Sequence, residues 1–145
     1  MINQQPRFVV AAPHSGSGKT TVTLGLLHVL REQGLLVQPF KIGPDFIDPS
    51  HHTKIRETTS RNLDSWMCDD VVVQEIFARA AAGADISVIE GVMGLFDGYG
   101  PDNDRGSTAH VARLLSARWY WSSMPSAWPR ALPRSRSAVE TSISN

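Results

Sequence analysis

The segment APHSGSGKTT at residues 12–21 has the residue types of a phosphate-binding loop. Gly16 and Gly18 allow backbone N–H groups to turn toward phosphate oxygens, and Lys19 brings a positive charge to the β and γ phosphates. Thr20 offers a hydroxyl to Mg²⁺. The general motif has glycine where this chain has Pro13, so the alternative is a glycine turn that only caps a helix. The pattern predicts binding of a nucleotide together with a metal ion.

Two acidic residues follow an apolar run in the segment DISVIEGVMGLFDG. Glu90 falls at the carboxyl end of a predicted strand, where its carboxylate would hold Mg²⁺ or a metal-bound water opposite the phosphate loop. The alternatives are that Glu90 caps a turn or pairs with a lysine. Asp97 lies in a glycine-flanked loop, where aspartate also occurs for turn geometry alone. We predict a metal-binding role for Glu90 and leave both interpretations open for Asp97.

The segment PFKIGPDFIDPSHH collects charged side chains between glycine and proline residues. It reads as a loop, and a loop rich in charged residues is typical of binding or catalysis. Lys41 would lie over a transferred phosphoryl group. Asp45 and Asp48 would bind Mg²⁺ or orient a substrate. The pattern predicts that this segment completes the site begun by the phosphate loop.

For three other polar residues nearby, a purely structural role is at least as well supported as a role in binding or catalysis. His51 and His52 are adjacent, but no carboxylate or cysteine spacing completes a metal site, so we expect solvated or hydrogen-bonded loop histidines. Arg61 would bind the carboxylate of an acidic substrate, or form a surface pair with Asp64. The sequence does not choose between these two roles for Arg61.

The elements that must position these residues alternate along the chain. Apolar runs predict three strands, and helical spacing of apolar residues predicts three helices, the last of them capped by Ser107. Alternation of this kind predicts an α/β fold, a parallel sheet flanked by helices with ligands at the carboxyl ends of the strands. Three strands are few for such a sheet. The strands are residues 7–12, 35–40 and 85–90, and the helices are residues 20–34, 71–84 and 108–117.

Composition narrows the class of partner. The 145 residues suit one domain or part of one, and 14 basic against 14 acidic side chains leave a net charge of +0 at pH 7. This balance favours small molecules as partners over nucleic acid or a membrane surface.

Cys68, the single cysteine, makes no internal disulfide, and two neighbouring aspartates disfavour a nucleophilic role. No apolar run approaches the ~20 residues of a membrane span and no signal-peptide pattern is present, so we expect a cytoplasmic protein.

Five segments, in this order, resemble the N-terminal region of the cobyrinate a,c-diamide synthase family of the cobalamin pathway. They are APHSGSGKTTVTLGLL, VQPFKIGPDFIDPSHH, SRNLDSWM, EGVMGLFDG and GSTAHVARLL, and the resemblance covers residues 7 to about 117. The second segment is the most specific. Pro13 also fits, since the loop of this family resembles APxSGxGKT. One departure is KIRETT ahead of SRNLD, where the family usually shows a glycine.

This resemblance implies a P-loop NTPase fold related to dethiobiotin synthetase, fused in full-length members to a glutaminase domain. It implies a carbon–nitrogen ligase of the glutamine amidotransferase type, in which ATP phosphorylates the a and c side-chain carboxylates of cobyrinic or hydrogenobyrinic acid. Ammonia derived from glutamine then displaces phosphate and leaves an amide. The implied partners are the corrinoid, ATP and this ammonia, and a homodimer is expected of the full-length form.

The resemblance also assigns roles by position. Lys41 would steady the transferred phosphoryl group, and Asp48 and Asp97 would lie near the acceptor or the metal, so these three are the expected catalytic residues. The expected Mg²⁺ neighbours are Thr20, Asp45 and Glu90, and the expected phosphate-binding residues are Ser15, Gly16, Ser17, Gly18, Lys19, Thr20 and Thr21.

The composition changes near residue 118, where tryptophan, proline, serine and arginine become frequent. A one-base change of frame, which joins the last base of each codon to the first two of the next, turns Trp119-Tyr120-Trp121 into Val-Leu. Downstream positions permit a buried strand ending in Asp, as the family has. We therefore predict that residues 1–117 are the N-terminal part of a P-loop ATP-binding domain and that residues 118–145 are a frame-shifted, aberrant tail. The rival interpretations of the tail are a membrane-surface segment and an RNA-stacking segment.

The chain as given is then a fragment without the glutaminase domain, and we expect that it does not complete catalysis alone. One alternative is a dethiobiotin-synthetase-like ligase, which GPDFIDPSHH disfavours. Another is a nucleotide-switch ATPase of the partitioning kind, whose loop has an early lysine where this chain has His14. A third is an inert fragment, which would not be stabilised by nucleotide.

Overall fold

The computed structural model describes residues 5–56, 58–100 and 103–122, and strands and helices alternate along them. The strands are β1 (Arg7–Ala11), β2 (Val37–Ile42), β3 (Arg61–Leu63), β4 (Ile86–Glu90) and β5 (Arg118–Trp121), and the helices are α1 (Lys19–Glu32), α2 (Ile47–Arg56), α3 (Asp70–Ala81) and α4 (Thr108–Leu114). Within the described residues the strands form one sheet in the order β3-β2-β4-β1-β5, with every pair parallel. The predicted α/β class with a parallel sheet is confirmed.

The central strands are apolar because helices cover both faces of the sheet. Val9 and Val10 of β1 point to opposite faces. Val9 belongs to the core cluster that β2 and β4 form with α3 and α4, whereas Val10 packs in the cluster that contains Leu27 of α1. The rings of Phe40 and Phe77, 5.0 Å apart, join β2 to α3. Each large apolar side chain buried in this way contributes about 1.5–3 kcal/mol to folding.

The predicted helix boundaries have local causes that the structure confirms. Gly34 follows the end of α1 with a φ of 78°, a left-handed conformation that glycine adopts without strain. The hydroxyl of Ser107 accepts a hydrogen bond of 3.1 Å from the backbone N–H of His110 and caps α4 as expected. Across the described residues, no helix has the length and apolar character needed to cross a bilayer.

The segment after β2 differs from the prediction of a loop, because residues 47–56 form α2. The carboxylate of Asp45 accepts hydrogen bonds from the backbone N–H groups of Ile47, at 2.8 Å, and Asp48, at 3.4 Å, and so satisfies donors at the start of the helix. Pro49 lies in the first turn, where its missing N–H is not needed. Aspartate and proline, which suggested a loop in this segment, are instead the residues that favour the start of a helix.

Two strands were not predicted, and the expectation of three strands is wrong. β3 has three residues and no apolar run, and it pairs with β2. β5 pairs with β1 although all four of its side chains are exposed. β2 also runs two residues further than expected and includes Lys41. Most of the expected aberrant tail, residues 123–145, lies outside the described residues, so the change of reading frame stays a prediction.

Candidate active site

A cavity of about 410 Å³ opens at the carboxyl edge of the sheet, where β1, β2 and β4 end. One wall is the predicted phosphate loop with the first turn of α1, namely Ser15, Gly16, Gly18, Lys19, Thr20 and Thr21. The opposite wall contains Lys41, Asp45, Asp48 and Glu90. Ten of the twelve residues expected to form the site therefore lie around one cavity. Ser17 and Asp97 are not among its lining residues.

The phosphate loop has the backbone shape that its glycines predict. Gly16 and Gly18 have φ values of 78° and 81°, which a residue with a Cβ adopts only with strain. Ser17 is buried behind the loop, where its hydroxyl donates to the carbonyl of His14 at 2.9 Å. Ser122, at the end of β5, donates from its hydroxyl to the carbonyl of Ser17 at 3.1 Å. Ser17 therefore supports the loop from behind, and Ser122 is a contact that the sequence did not reveal.

The side chain of Lys19 lies between the phosphate loop and the segment that follows β4. Its Nζ donates to the carbonyl of Met93 at 2.6 Å and to that of His14 at 3.2 Å. Burial lowers the pKa of Lys19, and the positive charge of Lys41 lowers it further, while nearby carboxylates act in the opposite direction. A phosphate group in the cavity would offer this ammonium a stronger partner than two neutral carbonyls.

Glu90 and Thr20 meet across the cavity floor. Glu90 ends β4 and is fully buried, and its Oε1 accepts a hydrogen bond of 2.6 Å from the Thr20 hydroxyl. The Thr20 hydroxyl also lies 3.4 Å from Oδ1 of Asp48. These oxygens converge because β1 and β4 are adjacent and parallel, so both carboxyl ends deliver their residues to the same edge.

Lys41 is buried in an acidic cluster rather than free above the cavity. Its Nζ lies 2.7 Å from Asp48, 3.1 Å from Glu90 and 3.8 Å from Asp45, and it donates to the carbonyl of Gly91 at 3.0 Å. Burial by itself would raise the pKa of Asp48, but the hydrogen bond and charge of Lys41 outweigh it and the pKa is lowered. The pairing of Glu90 with a lysine, first considered as an alternative, thus occurs within the site itself.

His52 is the main feature that sequence reasoning placed in the wrong context. His52 is fully buried on α2, with Nε2 2.7 Å from Oε2 of Glu90 and Nδ1 3.2 Å from the hydroxyl of Ser60. His51 is exposed. The expectation of a hydrogen-bonded histidine is confirmed for His52, but the partner was not foreseen. The spacing of four between Asp48 and His52 would have indicated a shared face if the segment had been predicted as a helix.

The remaining expected residues support the cavity from its surroundings. Asp97 accepts a hydrogen bond of 2.8 Å from the N–H of Gly94 and so holds the loop after β4. Asn62 of β3 donates from its side-chain amide to the carbonyls of Gly43 and Asp45, both at 2.7 Å. The sequence did not single out Asn62.

Arg61 lies at the start of β3, and its side chain is exposed. The surface pair with Asp64 was one of its two predicted roles. The carboxylate of Asp64 instead accepts hydrogen bonds from the backbone N–H groups of Trp66, at 2.8 Å, and Met67, at 3.3 Å. It therefore orders the turn after β3.

The cavity has the donors and acceptors that a metal–nucleotide complex requires. Backbone N–H groups of a glycine loop, a helix N-terminus and Lys19 suit the phosphates. Within residues 5–56, 58–100 and 103–122, no group of three or more His, Cys, Asp or Glu side chains could hold a metal ion alone. Mg²⁺ is typically bound by one or two carboxylates together with phosphates and waters, so Thr20 with Asp45 and Glu90 fits it.

Large apolar side chains are exposed in the loops at this same edge. Phe46 and Ile47 follow β2, Trp66 follows β3, and Met93 and Phe96 follow β4. Phe46 is 88% exposed and Phe96 is 68% exposed. These apolar residues follow the same ends of the strands as the polar residues that line the cavity.

Comparison with known proteins agrees with this geometry. Residues 8–99 match the family described as the CobQ/CobB/MinD/ParA nucleotide binding domain. The chain is 51% identical over 111 residues to a cobyrinate a,c-diamide synthase of Priestia megaterium and 54% identical over 112 residues to one of Syntrophotalea carbinolica. It is 51% identical over 112 residues to a hydrogenobyrinate a,c-diamide synthase of Streptomyces coelicolor. Each match covers 77% of this chain, but only 23% or 24% of the relative, so the chain spans about a quarter of their length.

Proposed function

Since the chain belongs to the CobQ/CobB/MinD/ParA nucleotide-binding family, we propose that it is the ATP-binding part of a ligase that amidates corrinoid carboxylates. The acceptor would be cobyrinic or hydrogenobyrinic acid, as the names of the similar proteins suggest. The observation that carries this proposal is the convergence of the phosphate loop with Thr20, Lys41 and Glu90 around one cavity.

The proposed reaction begins with phosphoryl transfer. A carboxylate oxygen of the acceptor attacks the γ-phosphorus of ATP, the bond to the β–γ bridging oxygen breaks, and ADP leaves. Ammonia then attacks the carbonyl carbon of the acyl phosphate, the nitrogen loses a proton to solvent, and phosphate leaves with the bonding electron pair. Charge grows on the transferred group during the first step, so cations that surround it stabilise the transition state.

The proposal gives each side chain a task that its position supports. Lys19 binds the β and γ phosphates after leaving the carbonyl of Met93. Lys41 neutralises charge on the transferred group, and Asp48, which contacts both Lys41 and Thr20, orients the acceptor side of the cavity. Asp97 holds the loop after β4, next to the same cavity, through Gly94.

Mg²⁺ would be held by Thr20, Asp45 and Glu90 and would neutralise phosphate charge. The Thr20 hydroxyl donates a hydrogen bond to the carboxylate of Glu90. A lone pair of the same hydroxyl oxygen would therefore be available to the metal ion. Asp45 also holds the start of α2, so the helix and the proposed metal neighbour are coupled.

The exposed apolar residues around the cavity support a large acceptor with an apolar ring. Phe46, Ile47, Met93 and Phe96 would contact the ring, while its peripheral carboxylate enters the polar cavity. Ammonia would come from a glutaminase domain of the kind the sequence resemblance implies. We therefore propose that this chain alone binds ATP without forming the amide.

Nucleotide binding tests the proposal directly. We expect ADP or a non-hydrolysable ATP analogue with Mg²⁺ to bind the chain and raise its Tm, since a ligand at 100 times its Kd stabilises by about 2.7 kcal/mol. Lys19→Ala removes the phosphate cation and should weaken binding at least about tenfold, equivalent to about 1.4 kcal/mol. Lys54→Ala is the control, because Lys54 is exposed on α2.

Calorimetric titration and thermal unfolding would measure both effects. If the unchanged chain binds no nucleotide, the proposed function is wrong. If it binds nucleotide but Lys19→Ala and Lys54→Ala bind equally well, the assignment of the phosphate loop is wrong. Titration with cobyrinic acid would then test the acceptor separately, because a dethiobiotin-synthetase-like ligase would bind nucleotide without the corrinoid.

A further inference from the structure

His52 is a buried polar side chain to which the proposed chemistry assigns no task. The ring is fully buried beneath the cavity on α2, and it makes two side-chain hydrogen bonds. A buried imidazole with a partner on each nitrogen is costly to place unless both contacts are kept. Its contact with Glu90 is as short, at 2.7 Å, as any that Lys41 makes in the acidic cluster.

The two carboxylate oxygens of Glu90 have separate sets of partners. Oε1 accepts from Thr20 and from Lys41, on the cavity side, whereas Oε2 lies 2.7 Å from Nε2 of His52. Contacts on Oε1 alone would leave the carboxylate free to rotate about its terminal torsion, which has a broad energy minimum. The bond on Oε2 fixes that rotation.

The direction of the hydrogen bond between His52 and Glu90 follows from the chemistry of the two groups. A carboxylate oxygen accepts, so Nε2 of His52 carries the proton and donates it to Glu90. Nδ1 on the other side of the ring lies 3.2 Å from the hydroxyl of Ser60, which can either donate to or accept from a ring nitrogen. Ser60 is held in turn, since its backbone N–H donates to the hydroxyl of Thr53 at 3.1 Å. The ring is therefore oriented on one side by Glu90 of β4 and on the other by Ser60, in the segment between α2 and β3.

We propose that His52 is a positioning residue for Glu90. Its hydrogen bond to Oε2 keeps Oε1 directed at Thr20 and the phosphate cavity, so that Glu90 is ready to accompany Mg²⁺ when nucleotide binds. This inference rests on the proposed nucleotide function. A histidine or carboxylate that orients a metal-associated group in this way typically changes metal affinity by about 10-fold to 100-fold when it is removed.

Two amide substitutions separate the contacts of His52. In His52→Gln the side-chain amide nitrogen reaches the position of Nε2 and keeps the bond to Glu90. In His52→Asn the amide reaches only the position of Nδ1 and keeps the contact with Ser60. The same pair at the exposed neighbour, His51→Gln and His51→Asn, is the matched control.

The measurement is the Kd of a non-hydrolysable ATP analogue with and without Mg²⁺, together with the Tm of each variant. We expect His52→Asn to need about 10-fold more Mg²⁺ for the same gain in affinity, with metal-free affinity within about 2-fold of the unchanged chain. His52→Gln should recover most of the gain. Both His51 variants should match the unchanged chain.

Each other outcome overturns the inference in a recognisable way. An unchanged Mg²⁺ requirement in His52→Asn rules out positioning. Equal losses in both His52 variants, with metal-free affinity reduced as well, indicate packing alone. If both variants fail to fold, Ser60→Ala removes only the Nδ1 partner and should raise the Mg²⁺ requirement, and no change there overturns the proposal. Failure of the unchanged chain to bind nucleotide at all overturns the proposed function, and this inference with it.

Discussion

At the scale of single residues, the site is organised by compensation of buried charge. Lys41 is 4% exposed and Glu90 is fully buried, and neither would be stable there alone. The ammonium of Lys41 contacts three carboxylates, and Glu90 receives hydrogen bonds from Thr20 and His52 as well. The cluster therefore stabilises the fold at this edge of the cavity, and under the proposed function it also places charge where phosphoryl transfer needs it.

Removal of the lysine should expose this dependence. Lys41→Met leaves Asp48 and Glu90 close together without their cation, and we expect the free energy of unfolding at pH 7 to fall by about 3–5 kcal/mol. Urea unfolding would measure the change, with Lys54→Met as the exposed control. A loss equal to that of the control would mean that the cluster does not stabilise the fold.

The same variant should have a characteristic pH dependence. The pKa of Asp48 is lowered in the folded chain, mainly because Lys41 outweighs the effect of burial. Its contribution is therefore present above the unfolded value of about 3.9 and is lost as the pH falls through the folded pKa. We expect the stability difference between the unchanged chain and Lys41→Met to shrink as the pH falls from 7 to below 4. A difference that stays constant over this range would contradict the assignment.

At the scale of elements, the site is assembled by three loops at one edge of a parallel sheet. The phosphate loop follows β1, the segment with Asp45 follows β2, and the segment with Asp97 follows β4. β3 adds no residue to the cavity lining but holds the second of these loops through Asn62, which donates to two of its carbonyls. A short strand thus positions the start of α2 and with it Asp48 and His52.

The contribution of the Asn62 side-chain amide should be measurable separately from that of β3 as a whole. Asn62→Ala removes the side-chain donor to the carbonyls of Gly43 and Asp45, although that of Gly43 keeps the backbone N–H of Asp45. We expect a loss of about 1–3 kcal/mol in stability together with a higher Mg²⁺ requirement for nucleotide binding. Arg61→Ala, at the exposed neighbouring position, should change stability by less than about 0.5 kcal/mol. Equal effects of the two substitutions in chemical unfolding would show that β3 as a whole matters rather than the amide.

At the scale of the whole molecule, β5 stands apart from the other strands. Its backbone extends the sheet beside β1, and Ser122 after it reaches the phosphate loop. Its side chains are exposed, with Trp119 37% and Tyr120 41% accessible, and Tyr120 contacts Phe8 edge to face at a ring distance of 5.3 Å. This strand therefore contributes backbone hydrogen bonds and little buried side-chain surface.

We propose that residues 118–145 follow a change of reading frame. Resequencing of the gene across the codons for Ser116 to Trp121 should find one base too many or too few, and the corrected frame should read as an apolar strand with Val and Leu in place of the exposed aromatic residues. An unchanged sequence would contradict this proposal, and the proposed nucleotide binding by residues before 118 would stand independently of it.

The amino-acid sequence was sufficient to predict the phosphate loop, the alternation of strands and helices, the capping of α4 by Ser107 and the grouping of the charged segments at one edge. Each of these depends on turn chemistry or periodicity within a few residues, or on the rule that parallel strands end at the same edge. The length of β2 and the short strand β3 escaped prediction because their residues carry weak local signals. Lys41 can be buried at the end of β2 because three carboxylates, those of Asp45, Asp48 and Glu90, surround its ammonium.

The contacts between side chains that are far apart in the sequence became visible in the folded chain. His52 and Glu90 are 38 residues apart, Lys41 and Glu90 are 49 apart, and Ser122 and Ser17 are 105 apart. No local pattern encodes such pairs, because α2 and β4 are placed by packing against the common core and β5 by backbone pairing with β1. Burial then makes each contact obligatory, since a polar group removed from water must find its partner within the fold.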